Sequence, residues 1–127
     1  MIQVVWEFIV KETALDAFQQ AYAPGGSWTR LFEAYPGYRG TTLLRDTENP
    51  RRFITIDAWA TARDRERMQT EGKAAYVNLD ELLADLTEDE DELGVFTTDS
   101  EVPVQPRVKQ TRGKTKAAGR TGRRTRG

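Results

Sequence analysis

Apolar and polar positions alternate from Ile2 to Val10, with Ile2, Val4, Trp6, Phe8 and Val10 on one side and Gln3, Val5, Glu7 and Ile9 on the other. A period of two predicts a strand. From Thr13 the spacing becomes helical: Leu15, Phe18 and Tyr22 recur about one turn apart, Thr13 and Asp16 form a capping pair, and Pro24-Gly25-Gly26 ends the pattern. Ser27 is placed to cap a second short helix that carries Trp28, Leu31 and Phe32 and stops at Pro36-Gly37. Tyr38–Arg45 and Arg52–Trp59 read as two strands joined by a turn over residues 46–51, which contains Asn49-Pro50. Thr61 and Asp64 repeat the capping pair before a charged helix that reaches Glu71. Gly72 breaks it, and the next helix presents Tyr76, Leu79, Leu82, Leu83 and Leu86 on one side. A last strand is expected over residues 92–98. The order β-α-β-β-α-β is an α+β, ferredoxin-like arrangement with a four-stranded antiparallel sheet.

Helices on one side of such a sheet leave its other side bare, and here that side is not polar. The first strand has five apolar residues on one face and Val5 and Ile9 on the other, and the third sets Ile54, Ile56 and Ala58 against Phe53 and Trp59, so both faces carry apolar residues. Contiguous apolar surface of this kind marks an interface. Two sheets facing each other in an isologous pair would cover it, so a homodimer is expected.

Composition narrows the chemistry. The 127 residues include no cysteine and no histidine, which removes disulfides, thiolate nucleophiles, imidazole bases and Cys/His metal sites. No metal and no cofactor is expected. Charge is divided unevenly: residues 1–101 hold 10 Lys/Arg against 20 Asp/Glu, whereas residues 102–127 hold 9 Lys/Arg and no acid. Phe96 is the last aromatic. Beyond it there is too little apolar surface to offset backbone ordering, about 1–2 kcal/mol per residue. One domain over residues 1–100 is therefore expected, followed by a disordered basic tail over residues 101–127. Such a tail suits weak phosphate contact with nucleic acid, or it is simply a solvated extension. No stretch approaches the roughly 18 apolar residues of a membrane span, and no basic leader precedes the first strand, so a cytoplasmic protein without membrane contact is expected. The glycines lack phosphate-loop spacing and the acidic run from Asp85 to Glu92 lacks calcium-loop spacing, so the first are read as turns and the second as a solvated helix end.

The element order gains meaning from short motifs. They are Trp28 to Leu31 before the hairpin, Pro36-Gly37-Tyr38 leading into Leu43-Leu44-Arg45-Asp46, the Trp59-Ala60-Thr61 junction, and the closing Glu92-Leu93-Gly94-Val95-Phe96. Over about residues 1–98 the chain resembles the antibiotic biosynthesis monooxygenase family of dimeric α/β barrels. That resemblance implies a sheet-to-sheet dimer and a small-molecule pocket. Members include cofactor-independent oxygenases of phenolic polyketides, haem-degrading enzymes and domains of no assigned activity. Trp59 corresponds to the pocket Trp that ends the third strand in the oxygenases. Two departures stand beside it: Met68 occupies the place where the following helix commonly carries a His, and Thr55 falls near an Asn found in some oxygenases. The haem-degrading branch, with its His ligand, is matched least.

Asp57 and Trp59 are the candidate catalytic pair. Asp57 lies on the same strand face as Phe53, Thr55 and Trp59, where an acid must find a partner, water or a ligand. Desolvated, it could take a proton from an acidic phenol or anthrone carbon; solvated or paired with Arg, it would be ordinary surface. Trp59 either stacks on a planar substrate or fills the core, and the same choice holds for Trp6, Phe8, Trp28, Phe32 and Tyr76. Arg45, with Arg39 and Arg52 nearby, could stabilise an enolate or pair with Asp46, Glu48 or Asp57. The functions that follow are a monooxygenase acting on an aromatic or polyketide-like molecule, or a non-catalytic binding or interaction module of the same fold.

Overall fold

The nine-residue strand β1 (Ile2–Val10) is the spine of the fold, because β3 (Arg52–Trp59) pairs along one of its edges and β4 (Thr87–Thr97) along the other. With β2 (Tyr38–Arg45) outside β3, the antiparallel order is β2-β3-β1-β4, as the ferredoxin-like reading requires. The computed structural model describes residues 1–101; the tail from residue 102 onward, with its expected disorder and nucleic-acid contact, lies outside the described residues. Among the described residues no helix is long and apolar enough to cross a membrane.

The helices α1 (Leu15–Tyr22), α2 (Ser27–Glu33), α3 (Ala62–Glu71) and α4 (Lys73–Leu83) cover one side of the sheet. Beneath them the even positions of β1 meet the odd positions of β3, and the register sets Val4 beside Asp57, Trp6 beside Thr55 and Phe8 beside Phe53. Val10, Phe18, Phe53 and Trp59 are fully buried at the centre. Phe18 stacks on Tyr22 at 4.2 Å between ring centroids and meets Phe53 at 4.9 Å, which ties α1 to the sheet.

Four expectations change in detail. The last strand begins at Thr87, not at residue 92, so the acidic run Glu88 to Glu92 is strand rather than helix end. Five acids tolerate an extended conformation here because β4 is an edge strand with only β1 beside it, and charge along an edge also discourages further pairing. Arg51 to Glu88 and Arg65 to Glu92 offset part of the repulsion. Thr13 sits within a 3-10 turn over Glu12–Ala14 instead of capping α1, because the turn's own Ala14 N–H to Lys11 C=O bond at 2.9 Å begins the helix. Ser27 is the first residue of α2, not its cap. The loop is held by Thr29, whose hydroxyl accepts from the Gly25 amide at 2.7 Å and donates to the Gly26 carbonyl at 3.1 Å. A Cβ on Gly26 would stand 2.3 Å from the Gln20 carbonyl oxygen, so only glycine fits that approach. Leu82, expected with its neighbours on the packed side of α4, is 74% exposed. Tyr76, Leu79 and Leu83 follow the seven-residue stripe that meets the core, and Leu82 lies 100° around the helix from Leu83.

The Thr61 cap is present: its hydroxyl accepts from the Asp64 amide at 3.1 Å. Thr61→Ala leaves that amide without a partner at the junction between β3 and α3. A loss of about 1 kcal/mol is expected, read as a lower urea midpoint with an unchanged slope.

On the opposite side of the sheet Val5, Ile9, Ile54, Ile56 and Ala58 are half-buried, while Leu44 and Phe96 are 47% and 52% exposed. One ion-pair cluster closes this surface at the hairpin end, where Arg52 meets Glu7 at 2.6 Å and Asp46 at 3.1 Å.

Candidate active site

Strand register sets the position of the central carboxylate. The hairpin pairs Arg45 with Phe53, Leu43 with Thr55 and Thr41 with Asp57, so the Thr41 hydroxyl faces the Asp57 carboxylate across two neighbouring strands. It donates to Asp57 Oδ1 at 2.7 Å. Because its single proton is used there, the short contact with Tyr38 must be a bond donated by the phenol to Thr41 Oγ1. A relay Tyr38 to Thr41 to Asp57 therefore orients the carboxylate toward the helix layer.

Asp57 stands at the junction of two cavities. The larger encloses about 460 Å³, part of it open to solvent. Its walls are Trp6 and Phe8 from β1, Tyr22 and Trp28 from α1 and α2, and Phe32 and Tyr76 from α2 and α4. The polar lining consists of Thr41, Thr55, Asp57, Asp80 and Glu90. The smaller, of about 260 Å³, lies deeper along β3 and shares Trp6, Phe32, Asp57 and Tyr76 with the first. Val4, Trp59, Arg65, Met68 and Gln69 complete it. Trp28 and Tyr76 approach to 4.9 Å between centroids and Tyr22 lies 6.1 Å from Trp28, which makes one wall a nearly continuous aromatic surface.

Burial raises the Asp57 pKa from its ordinary 3.8 to about 6; the Thr41 hydrogen bond and the positive charge of Arg65 oppose the rise. Burial also pushes the Tyr76 phenol up, reinforced by the nearby Asp80 charge. The Tyr22 phenol moves up well beyond its usual range for the same reason, with Glu90 and Asp80 adding to it. The Tyr22 hydroxyl is close enough to feel the Trp28 indole dipole, yet the buried indole N–H has no acceptor at hydrogen-bonding geometry. Thr41→Val removes a bond that favours the charged carboxylate. A bond to a charged group is worth about 1.5–3 kcal/mol, so the Asp57 titration midpoint should rise by about one to two pH units, measurable on the carboxyl carbon by NMR.

The geometry sorts the candidates. Asp57, Trp6, Trp28, Phe32 and Tyr76 meet at the larger cavity together with Phe8. Trp59 is 1% exposed and wedged between Phe32 and Tyr38 at 5.5 and 5.3 Å; it borders only the smaller cavity, so it fills the core and closes the deep end at once. Arg45 is not brought to either cavity. Its guanidinium lies 5.1 Å from the centroid of Phe53, and its Nε donates to the Pro50 carbonyl at 2.9 Å. It lies on the same face as Asp57 but four residues along the hairpin, about 13 Å away at the rise of a strand. Arg52 is taken up by Glu7 and Asp46 on the opposite face. In the larger cavity Tyr22, Thr41, Thr55, Asp80 and Glu90 escaped the sequence reading as site members, as did Val4, Arg65 and Gln69 in the smaller. Among the described residues no group of three or more acidic side chains is arranged to hold a metal ion.

The comparisons agree with this architecture. The family model described as antibiotic biosynthesis monooxygenase matches residues 1–78. A search of curated proteins finds no match. Among solved structures, SnoaB, a cofactor-independent oxygenase from Streptomyces nogalater, superposes with a TM-score of 0.67 at 22% identity, covering 80% of this chain and 96% of its own. An antibiotic biosynthesis monooxygenase-class protein from Bordetella bronchiseptica gives 0.62 at 18% identity, with 80% and 97% covered. Rv0793 from Mycobacterium tuberculosis gives 0.63 at 14% identity, with 80% and 98% covered. At these identities the likeness is one of fold.

Proposed function

Because the chain belongs to the antibiotic biosynthesis monooxygenase family, we propose that it is a cofactor-independent monooxygenase of an aromatic or polyketide-like small molecule, working as a homodimer with Asp57 as its base. The observation that carries this reading is one carboxylate, raised to about 6 by burial, set where two aromatic-lined cavities meet. A base poised near neutrality is ionised at working pH, yet keeps enough affinity for a proton to remove one from an acidic carbon.

The steps balance for a methylene held between two aromatic rings, as in an anthrone. Asp57 takes one proton, leaving a carbanion delocalised over the rings. The carbanion transfers an electron to dioxygen, and the two radicals combine into a carbon-bound peroxide. Cleavage of the O–O bond, with the second methylene proton passing to the departing oxygen, leaves the carbonyl and releases hydroxide, which takes the proton held by Asp57 and departs as water. One dioxygen is consumed; the carbon loses four electrons, and one oxygen atom enters each product. The walls formed by Trp6, Phe8, Trp28 and Tyr76 bind the rings and exclude water, and Trp59 with Phe32 closes the deep end.

Oxygen-electrode measurements with a panel of anthrones test the proposal. The expected result is one dioxygen per substrate and a quinone-type product; a panel that gives no uptake ends the oxygenase reading. A second reading, binding without turnover, draws support from Met68, a buried apolar side chain in the smaller cavity at the place of the family's His. Thermal stabilisation by anthrones with no oxygen consumed would select it, because a ligand bound only by the native state raises the unfolding midpoint.

A further inference from the structure

We propose that the larger cleft selects an aromatic ligand that carries a positively charged amine, with the ring against the Trp28 and Tyr76 wall and the ammonium between Asp80 and Glu90. The proposal rests on reading this cleft as the substrate site, and it defines the class of molecule that enters.

The charges lining the cleft all have one sign. Asp57, Asp80 and Glu90 contribute carboxylates from β3, α4 and β4, and among the described residues no basic side chain lines it. Arg65, the basic residue of the smaller cavity, is engaged with Glu92 at 3.2 Å. Glu90 accepts only a hydroxyl bond from Thr87 at 3.1 Å, and no ion pair reaches Asp80 or Glu90 among the described residues. Both carboxylates act on the Tyr22 hydroxyl, which places them within electrostatic reach of the aromatic wall. Aromatic faces beside carboxylates attract a cation through both the ring quadrupole and the charge. An anionic ligand would meet three like charges, with the Arg65 charge behind Asp57 already offset by Glu92.

The proposed chemistry leads to the same class. Proton transfer to Asp57 moves the negative charge from that carboxylate onto the substrate, and among the described residues the larger cleft is lined by no cation; Arg65, whose charge reaches Asp57, lies on the smaller cavity and is engaged with Glu92. The donors at hand are neutral, among them the Trp28 N–H, which is buried without an acceptor. A substrate bearing its own ammonium becomes a zwitterion on deprotonation and brings the missing charge with it.

Three probes of one footprint separate charge from shape: 2-naphthylmethylamine, 2-naphthalenemethanol and 2-naphthoate, titrated calorimetrically into the full-length protein at pH 7.5 without dioxygen. Asp80 and Glu90 are both exposed, so the amine is expected to bind about fivefold more tightly than the alcohol, in line with a solvated cation on an aromatic face, and the carboxylate more weakly than either. Asp80→Asn combined with Glu90→Gln should reduce the preference for the amine to within about twofold, with amine affinity falling more than alcohol affinity, and both substitutions keep side-chain volume so that thermal unfolding checks the fold. Equal binding of amine and carboxylate, or a preference that survives the double substitution, overturns the proposal. A clear amine preference with no oxygen uptake from any anthrone, amine-bearing ones included, supports the ligand class and removes the oxygenase. Uptake without an amine preference removes the ligand class and keeps the oxygenase.

Discussion

Asp57→Asn is expected to lower oxygen consumption by about 10²- to 10⁴-fold, the range that a positioned general base supplies, while making the protein more stable above pH 6. The two effects share one cause. The wild-type rate should rise with pH through about 6 and then level off, because the carboxylate must be ionised to accept a proton; the variant should have no such limb. For stability, the folded-state pKa lies above the unfolded value, so between 3.8 and about 6 the folded chain holds a proton that the unfolded chain has released. Stability then falls as pH rises across that window, and above it the charged Asp57 carries its full penalty. The gap between 3.8 and about 6, at about 1.36 kcal/mol per pH unit, sets an upper bound of about 3 kcal/mol on that penalty. Asparagine keeps the acceptor for Thr41 and never ionises, so it avoids the cost. Urea unfolding at pH 4.5 and pH 8 checks this: the wild type should lose stability relative to the variant on going up in pH. Parallel behaviour would mean that Asp57 is as well solvated folded as unfolded, and its assignment as a tuned base would fail. A residue that costs stability when charged and does the chemistry only when charged is the trade expected of a functional group.

Much of this arrangement can be read from residues alone, and the boundary of legibility has physical causes. β1 and β3 declare themselves by alternation because one of their faces lies under helices, and burial enforces a period of two. β4 does not, because an edge strand bearing five acids contradicts every local preference for extended structure; its pairing with β1 decides, and that is a long-range contact. Glu90 was unreadable as a site residue for the same reason. Thr41 could have been found. A hairpin whose turn pairs Arg45 with Phe53 must, in unbroken register, pair Thr41 with Asp57, and a hydroxyl opposite a carboxylate is a ready partner. Asp80 was within reach too, one helical turn beyond Tyr76 on the same stripe. Helix starts misled in two places because serine and threonine near a helix offer hydroxyls in several geometries: Thr29, inside α2, does the work assigned to Ser27. The aromatic candidates illustrate the remaining ambiguity. Trp59 and Trp28 are both large, buried and close to Phe32, and only the third dimension puts Trp28 on the larger cleft and Trp59 behind it.

Ile56→Asp is expected to convert the proposed homodimer into monomers, with the largest free-energy change of any single substitution considered. Ile56 lies in the middle of the uncovered sheet face, paired in register with Val5 on one side and Thr42 on the other, with Leu44 and Phe96 exposed toward opposite edges. In a twofold pairing of two such faces each residue meets the partner's copy of the same surface, so one substitution acts twice. A carboxylate buried without a counter-ion costs about 3–5 kcal/mol, and two bring the penalty to about 6–10 kcal/mol, enough to weaken association by at least 10⁴-fold. Arg52, four residues along the same strand, is already shared by Glu7 and Asp46. Helix packing on the other side of the sheet does not involve Ile56, so the isolated subunit should keep its secondary structure. Sedimentation equilibrium at micromolar concentration reads the outcome: a dimer for the wild type, a folded monomer for the variant. A wild type that is itself monomeric at that concentration would remove the pairing, while a variant that stays dimeric would move the interface to another surface.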